Sequence, residues 1–236
     1  MINTSLPIVP QDSTDRREIF ATALVRQAPL PEPLNTVMLE MEKVARDEGI
    51  PVIGRLEGAI VRTLTALRGD AVTRVLDIGT AIGYSALWLA YALPEGGKVT
   101  SIELDPERAA RAADFIDRAG MADRIEILVG DAFELIPELG AYDLIFQDIM
   151  KHRYFGSDPS LATELLKLSK AHLEVNGFFM IDNAFCGGGV VDGEAAEHSQ
   201  ELIGVRNMNK ALAEDPDFDG VILPVRDGLW IARRTA

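Results

Sequence analysis

Residues 72–104, VTRVLDIGTAIGYSALWLAYALPEGGKVTSIEL, carry the clearest indication of the fold of this chain. Its first part, VTRVLDI (72–78), is a short β-branched run that ends at Gly79 and predicts a strand. The apolar segment 85–93 predicts a buried helix that a proline and two glycines terminate. KVTSIEL (98–104) then predicts a second strand. A strand, a helix and a strand in this order predict two parallel strands that end at the same edge of a sheet.

The same alternation continues towards the C-terminus. Further strands are predicted over 124–130, 142–148 and 177–183 with helices between them, and VILPV and LWIARR predict a hairpin-like pair around Asp227-Gly228. We therefore expect an α/β fold with a Rossmann-like, doubly wound, mostly parallel seven-stranded sheet and an antiparallel C-terminal strand.

Helices also precede the first strand. Apolar residues at helical spacing predict them over about 14–28, 34–48 and 55–68. We expect an N-terminal helical extension over 1–50 and an α/β domain over 51–236, as a single domain overall.

Composition and charge argue against nucleic acid as a partner, against an internal disulfide and against a membrane span. The chain has 23 lysine and arginine residues against 37 acidic residues, so its net charge of −14 disfavours nucleic acid and favours a small-molecule substrate. The single cysteine, Cys186, excludes an internal disulfide, and its thiol is expected to be packed rather than nucleophilic. No apolar run approaches the roughly 20 residues of a membrane span, and the N-terminus does not resemble a signal peptide. We expect a cytoplasmic protein without a membrane partner.

Three strand ends carry groups that suit a nucleotide-like cofactor. DIGTAIG (77–83) places Gly79 and Gly83 in the first βα turn, where glycines allow a sharp turn and a close cofactor, although they can also be purely geometric. Glu103 lies 24 residues after Gly79, where a carboxylate can accept both ribose hydroxyls. It could instead be a solvated residue before a helix. Asp131 follows the third strand, where an adenine edge would lie.

Together DIGTAIGYS, IELD (102–105) and VGDA (129–132) resemble the class I S-adenosylmethionine (SAM)-dependent methyltransferases. The G-x-x-x-G spacing argues against the alternative of a nicotinamide-dependent oxidoreductase. The residues that the resemblance implies as contacts of SAM are Asp77, Gly79, Thr80, Gly83, Ser85, Glu103, Asp131, Ala132 and Asp148.

The fourth and fifth strands end at oxygen-bearing side chains. Asp148 ends one and Asp182-Asn183 end the other, and neighbouring parallel strands present these ends at one edge. Such oxygens suit Mg²⁺, or another divalent cation such as Mn²⁺ or Ca²⁺, although each residue alone could be an ordinary turn former. Lys151 is close enough to share the site, where a cation and desolvation would lower its pKa towards that of a general base. Alternatively, it is a solvated surface lysine.

D-x-x-K-x-x-Y (148–154), D-N (182–183) and VILPVRDGLWIARR resemble the cation-dependent O-methyltransferases, the catechol and caffeoyl-coenzyme A O-methyltransferase family, over roughly residues 34–236. The residues that this resemblance implies as metal ligands are Asp148, Asp182 and Asn183. The catalytic residues that it implies are Lys151, as the base, and Asp148.

The resemblance implies methylation of a hydroxyl of an ortho-dihydroxy aromatic molecule by a homodimer. Met150 departs from the D-A-D-K pattern of caffeoyl-type members, which weakens the case for a coenzyme A thioester. His152 is expected to be a solvated loop residue. A metal-independent small-molecule methyltransferase and a non-catalytic cofactor-binding protein remain alternatives.

Overall fold

The computed structural model describes residues 15–27, 30–192 and 198–236. Within these ranges its α-helices are α1 (Arg16–Gln27), α2 (Leu34–Glu48), α3 (Arg55–Ala66), α4 (Tyr84–Ala92), α5 (Pro106–Arg118), α6 (Ala132–Leu135), α7 (Lys151–Phe155), α8 (Ser160–Ala171) and α9 (Gln200–Glu214). Its strands are β1 (Arg74–Ile78), β2 (Lys98–Glu103), β3 (Ile125–Val129), β4 (Tyr142–Gln147), β5 (Leu173–Ile181), β6 (Phe218–Leu223) and β7 (Leu229–Arg234).

The strands form a seven-stranded sheet in the order β3-β2-β1-β4-β5-β7-β6. The pairs β2–β3, β1–β4 and β4–β5 are parallel, whereas β7 runs antiparallel to both β5 and β6. The predicted mostly parallel, Rossmann-like sheet with an antiparallel C-terminal strand is therefore confirmed. Among the helices of the described ranges, none is both long enough and apolar enough to cross a membrane.

The chain contacts divide into two compact units. The described residues up to Thr73 and those of 80–130 form the first unit, and Arg74–Gly79 with 131–236 form the second. The first unit holds α1–α5 with β2 and β3, and α2 buries one apolar face, as its helical spacing predicts. The second unit holds β1, β4–β7 and α6–α9. The expected boundary near residue 50 stays a prediction.

In the second unit, β4 lies between β1 and β5 and is buried almost throughout. Its sequence, YDLIFQ, is a nearly continuous apolar run because helices cover both faces of a parallel sheet of this kind. The loops that begin at the carboxyl ends of these strands carry the polar residues of the candidate site.

Candidate active site

Three strands of the second unit end in register. Ile78 lies opposite Gln147, and Gln147 lies opposite Ile181. The backbone N–H of Asp148 donates to the Ile78 carbonyl oxygen (2.9 Å), and that of Asp182 donates to the Gln147 carbonyl oxygen (3.0 Å). Asp148 and Asp182 therefore begin adjacent loops at one edge of the sheet, and we call this region the carboxyl edge.

Gly79 directly follows β1 and lies beside the loop that carries Asp148. Its φ is +104°, and a Cβ added there would lie 1.9 Å from the backbone carbonyl oxygen of Asp148. Any side chain would therefore displace the Asp148 loop. Packing within the chain alone requires glycine here, which supports the geometric interpretation of this residue.

Asp148 and Asp182 repel each other at the carboxyl edge. Burial, and then the nearby carboxylate of Asp182, raise the pKa of Asp148 to about 7, whereas the positive charges of Lys151 and Arg226 act in the opposite direction. Asp182 is buried, and its Oδ1 accepts the backbone N–H of Asn183 (2.6 Å). At Asp148, burial and carboxylate repulsion therefore outweigh the attraction of the two positive side chains.

Lys151 is the first residue of α7 and is only 3% exposed. Among the described residues its Nζ has no hydrogen-bond partner. Burial lowers the pKa of Lys151, although the charges of Asp148 and Asp182 partly oppose this. The interpretation of Lys151 as a solvated surface lysine is therefore wrong. His152 beside it is exposed, as expected, but it lies in helix α7 and not in a loop. A buried amine with a lowered pKa has the properties required of a general base.

The oxygens at this edge fit a hard divalent cation. Two carboxylates, Asp148 and Asp182, and the amide of Asn183 are ligands that Mg²⁺ accepts. Burial and then the Asp182 carboxylate raise the pKa of Asp148, and the charge of a bound cation would favour its ionised form. Within the described residues, no group of three or more histidine, cysteine, aspartate or glutamate side chains is arranged to hold a metal. The predicted metal site has only two such side chains, Asp148 and Asp182, because its third ligand is the amide of Asn183. Its role in binding a metal therefore stays a prediction.

Glu103 ends β2 in the first unit and is 6% exposed, so its interpretation as a solvated residue is wrong. Its Oε2 accepts the backbone N–H of Ala81 (2.7 Å), and its Oε1 accepts that of Asp105 (2.9 Å). The carboxylate thus fixes the turn that precedes α4. Each carboxylate oxygen can accept more than one hydrogen bond, so Glu103 retains the capacity to bind a ribose.

The other predicted cofactor residues of the first unit lie close in sequence to this turn. The Thr80 hydroxyl lies 2.6 Å from that of Ser101, and the Thr80 N–H donates to the Ile102 carbonyl oxygen (3.1 Å). Gly83 precedes α4 with a φ of +93°, and Ser85 is buried in the first turn of that helix. The local hydrogen bonds of Thr80 give it a structural role in this turn.

The remaining predicted cofactor residues belong to the second unit. Asp77 is buried in β1. Asp131 accepts the backbone N–H of Phe133 (2.8 Å) and thereby caps α6, whose first residue, Ala132, is buried. Capping by aspartate is common at helix starts, so this contact explains Asp131 structurally and leaves its cofactor role a prediction.

Cys186 lies in the loop after Asn183. Burial and the nearby Glu201 carboxylate raise the pKa of the Cys186 thiol to about 12, and its Sγ lies 3.6 Å from Oε1 of Glu201. The thiolate is therefore disfavoured near neutral pH, which agrees with the expectation of a non-nucleophilic thiol.

Sequence reasoning missed two features of the carboxyl edge. The short helix α7 carries too few residues for a periodic pattern. Asp227 was interpreted only as part of a turn, yet its carboxylate accepts the backbone N–H of Gly187 in the loop after Asn183 (2.8 and 2.9 Å to its two oxygens). The Asp-Gly dipeptide is a turn signal, and only the fold shows what this carboxylate contacts.

Known proteins resemble the chain in sequence. The pattern of the O-methyltransferase family matches residues 34–235. A catechol O-methyltransferase from Niastella koreensis is 32% identical over 154 residues, covering 63% of this chain and 65% of that protein. A caffeoyl-CoA O-methyltransferase from Eucalyptus globulus is 33% identical over 169 residues, covering 67% of this chain and 65% of that protein. The chain thus matches slightly less than two thirds of the length of each relative.

Solved structures share the fold. An O-methyltransferase from Bacillus cereus in complex with SAH (S-adenosylhomocysteine) has a TM-score of 0.77 at 22% identity, over 92% of this chain and 97% of that one. An O-methyltransferase of tomaymycin synthesis from Streptomyces achromogenes, in complex with SAM, has a TM-score of 0.78 at 24% identity, over 92% and 96%. At these identities the likeness shows the fold. The match over residues 34–235 shows the family: this chain belongs to the O-methyltransferases.

Proposed function

We propose that the protein transfers a methyl group from SAM to a hydroxyl of an ortho-dihydroxy aromatic molecule, with the help of a divalent cation. The observation that carries the proposal is the carboxyl edge, where buried Lys151 lies near Asp148 and Asp182 without a hydrogen-bond partner among the described residues. A protein that used this edge only for packing would gain stability from apolar residues there. The charges are better explained by a bound reactant.

The roles of the residues follow from their chemistry. Asp148, Asp182 and Asn183 would hold the cation through oxygen atoms. When bound, the cation would favour the phenolate form of the acceptor, and SAM would supply the methyl group on its sulfonium. Neutral Lys151 accepts the hydroxyl proton at Nζ. The acceptor oxygen forms a bond to the methyl carbon while the carbon–sulfur bond breaks, leaving a methyl ether and SAH.

Glu103 supports the use of SAM rather than another methyl donor. Its buried carboxylate stands at the end of β2, where a ribose can be bound through both hydroxyls. The two structures of the same fold that were solved with SAM and SAH support the same cofactor. We infer that Glu103 accepts the ribose hydroxyls of SAM.

The names of the relatives support a catechol-type acceptor, since one methylates catechol and the other caffeoyl-CoA by name. Met150 precedes Lys151 at the N-terminus of α7, where caffeoyl-type members have an acid. An apolar side chain at this place favours a small aromatic acceptor over a coenzyme A thioester. The homodimer and the cytoplasmic location stay predictions.

The proposal is tested by methyl transfer from labelled SAM to catechol, first with added Mg²⁺, then with EDTA, and then after Mg²⁺ is restored. We expect activity to disappear in EDTA and to return with Mg²⁺. Phenol, which has a single hydroxyl and cannot chelate, is the matched acceptor and should react far more slowly. Full activity in EDTA would instead favour a metal-independent methyltransferase.

A further inference from the structure

The residues after Asp182 form a loop whose backbone is held in an uncommon conformation. We call residues 182–189 the ligand loop because they begin with two predicted metal ligands. Asn183, Cys186, Gly187 and Gly188 all have positive φ values, of 61°, 48°, 66° and 82°. Non-glycine residues adopt this conformation at a cost of roughly 1–3 kcal/mol each, so the surrounding structure must hold them there.

The contacts that hold the ligand loop come from the turn before β7. We call residues 225–228 the Asp227 turn. The Phe185 N–H donates to the Asp227 carbonyl oxygen (2.8 Å), and the Ala184 N–H donates to the Gly228 carbonyl oxygen (2.9 Å). The Asp227 carboxylate also accepts the Gly187 N–H, at 2.8 and 2.9 Å from its two oxygens. Backbone and side chain of one turn thus bind three residues of the loop.

The Asp227 turn is closed by its own hydrogen bond and packs closely against the ligand loop. The Gly228 N–H donates to the Val225 carbonyl oxygen (2.9 Å) and closes the turn. Gly228 has a φ of +85°, and a Cβ added there would lie 2.8 Å from the ring of Phe185. The turn can therefore approach the ligand loop this closely only with glycine at residue 228. This packing orients the Asp227 carboxylate towards Gly187.

A second side chain supports the loop from α9. Asn209 donates from Nδ2 to the Ala184 carbonyl oxygen (2.8 Å), and its Oδ1 accepts the indole N–H of Trp230 (2.8 Å). The backbone of Ala184 therefore makes hydrogen bonds through both its N–H and its carbonyl oxygen. Asn183 lies between this anchored peptide and Asp182, which is bonded to β4.

We infer that Asp227 is a positioning residue that holds Asp182 and Asn183 in the geometry needed to bind the cation. The inference rests on the proposed function and extends it to a residue that touches neither acceptor nor cofactor in our account. Asp227 acts through Gly187: its carboxylate fixes the far side of the ligand loop, and the anchored loop fixes Asn183 in its left-handed conformation. Residues that orient metal ligands typically change metal affinity by about 10- to 100-fold when they are altered.

Calorimetric titration with Mn²⁺ tests the inference on the purified full chain, without relying on turnover. In Asp227→Asn the charged acceptor becomes a neutral amide of the same size, whereas Asp227→Glu keeps the charge but displaces the carboxylate by one methylene. We expect both variants to bind Mn²⁺ about tenfold more weakly than wild type. Wild-type affinity in Asp227→Glu would show that only the negative charge matters and would overturn the positioning role.

Asp143→Asn is the matched control. Asp143 also accepts a backbone N–H from a distant segment, that of Arg74 (2.8 Å), but does so at the amino ends of β1 and β4. Its Mn²⁺ affinity should equal that of wild type. If wild type itself binds no Mn²⁺, the proposed function fails and the inference falls with it. If wild type binds Mn²⁺ and both Asp227 variants bind it with the wild-type affinity, the inference is overturned while the proposed function stands. Far-UV circular dichroism establishes that each variant is folded before titration.

Discussion

Two lysines of the second unit stand in opposite electrostatic environments. Lys170, at the end of α8, bonds both oxygens of Asp215 (2.8 and 2.7 Å) and also lies 2.8 Å from Asp217. Lys151, at the carboxyl edge, is more deeply buried, yet among the described residues its Nζ makes no hydrogen bond although Asp148 lies near enough to change its pKa. One region pairs its charges, and the other keeps them apart.

The difference distinguishes a lysine that stabilises the fold from the one that we propose as the catalytic base. Burial alone would lower the pKa of Lys170, but its hydrogen bonds to Asp215 and Asp217 outweigh burial and raise it. At Lys151 burial dominates and the pKa falls. Charges that only stabilise the fold can pair with each other, whereas charges that must accept a proton or bind a cation are kept from doing so. Substitutions at the two sites should therefore have opposite consequences.

The largest expected effect is on catalysis at Lys151. Lys151→Met should lower the rate of methyl transfer by about 10²- to 10⁴-fold, because the proton acceptor is removed. The free energy of unfolding should change little, since Nζ has no hydrogen bond to lose among the described residues and methionine places an apolar side chain of similar length at this buried position. Steady-state kinetics and urea denaturation measure the two effects. An unchanged turnover number would exclude Lys151 as the base.

A substitution at Gly79 should lower both the stability and the activity of the protein. In Gly79→Ala the new methyl group would collide with the Asp148 carbonyl oxygen, so both stability and activity should fall, the stability by about 3 kcal/mol or more. Gly49→Ala is the control, because Gly49 also has a positive φ of 66° but a Cβ there meets nothing within 4 Å. It should cost only about 1 kcal/mol, through backbone strain. Equal losses of stability in Gly79→Ala and Gly49→Ala would contradict the close approach of Gly79 to the Asp148 carbonyl oxygen.

Lys170→Met should show the reverse of Lys151→Met. It breaks the ion pairs with Asp215 and Asp217 and should cost about 1 kcal/mol of stability, because the pairs are only partly buried. Methyl transfer should stay at the wild-type rate, since Lys170 lies at the end of α8, before the start of β5, and not at the carboxyl edge. A loss of activity without a loss of stability would remove the distinction between the two lysines.

The smallest effect is the pH dependence of the Lys170 pair. The folded pKa of Lys170 is raised above its ordinary 10.5, so its contribution to stability is present below that pH and is lost as the pH rises through the folded pKa. The difference in melting temperature between wild type and Lys170→Met should therefore be constant near neutral pH and shrink above about pH 10.5. A difference in melting temperature that grows as the pH rises would contradict the raised pKa of Lys170.

The sequence predicted the sheet and the two strand ends that form the carboxyl edge, because β-branched runs followed by glycine or aspartate are local signals. Asp148 and Asp182 could be placed together because parallel strands must end at the same edge. It predicted neither the five-residue helix that begins at Lys151 nor the contact of Asp227 with Gly187, 40 residues away. Contacts of this kind depend on tertiary packing, and a turn dipeptide does not encode its distant partner.

We propose that the acids of the carboxyl edge bind a divalent cation. Anomalous diffraction from crystals of the protein grown with Mn²⁺ would locate that cation. We expect one strong anomalous peak within bonding distance of oxygens from Asp148, Asp182 and Asn183. A peak elsewhere, or no peak at this edge in crystals that contain Mn²⁺, would contradict it.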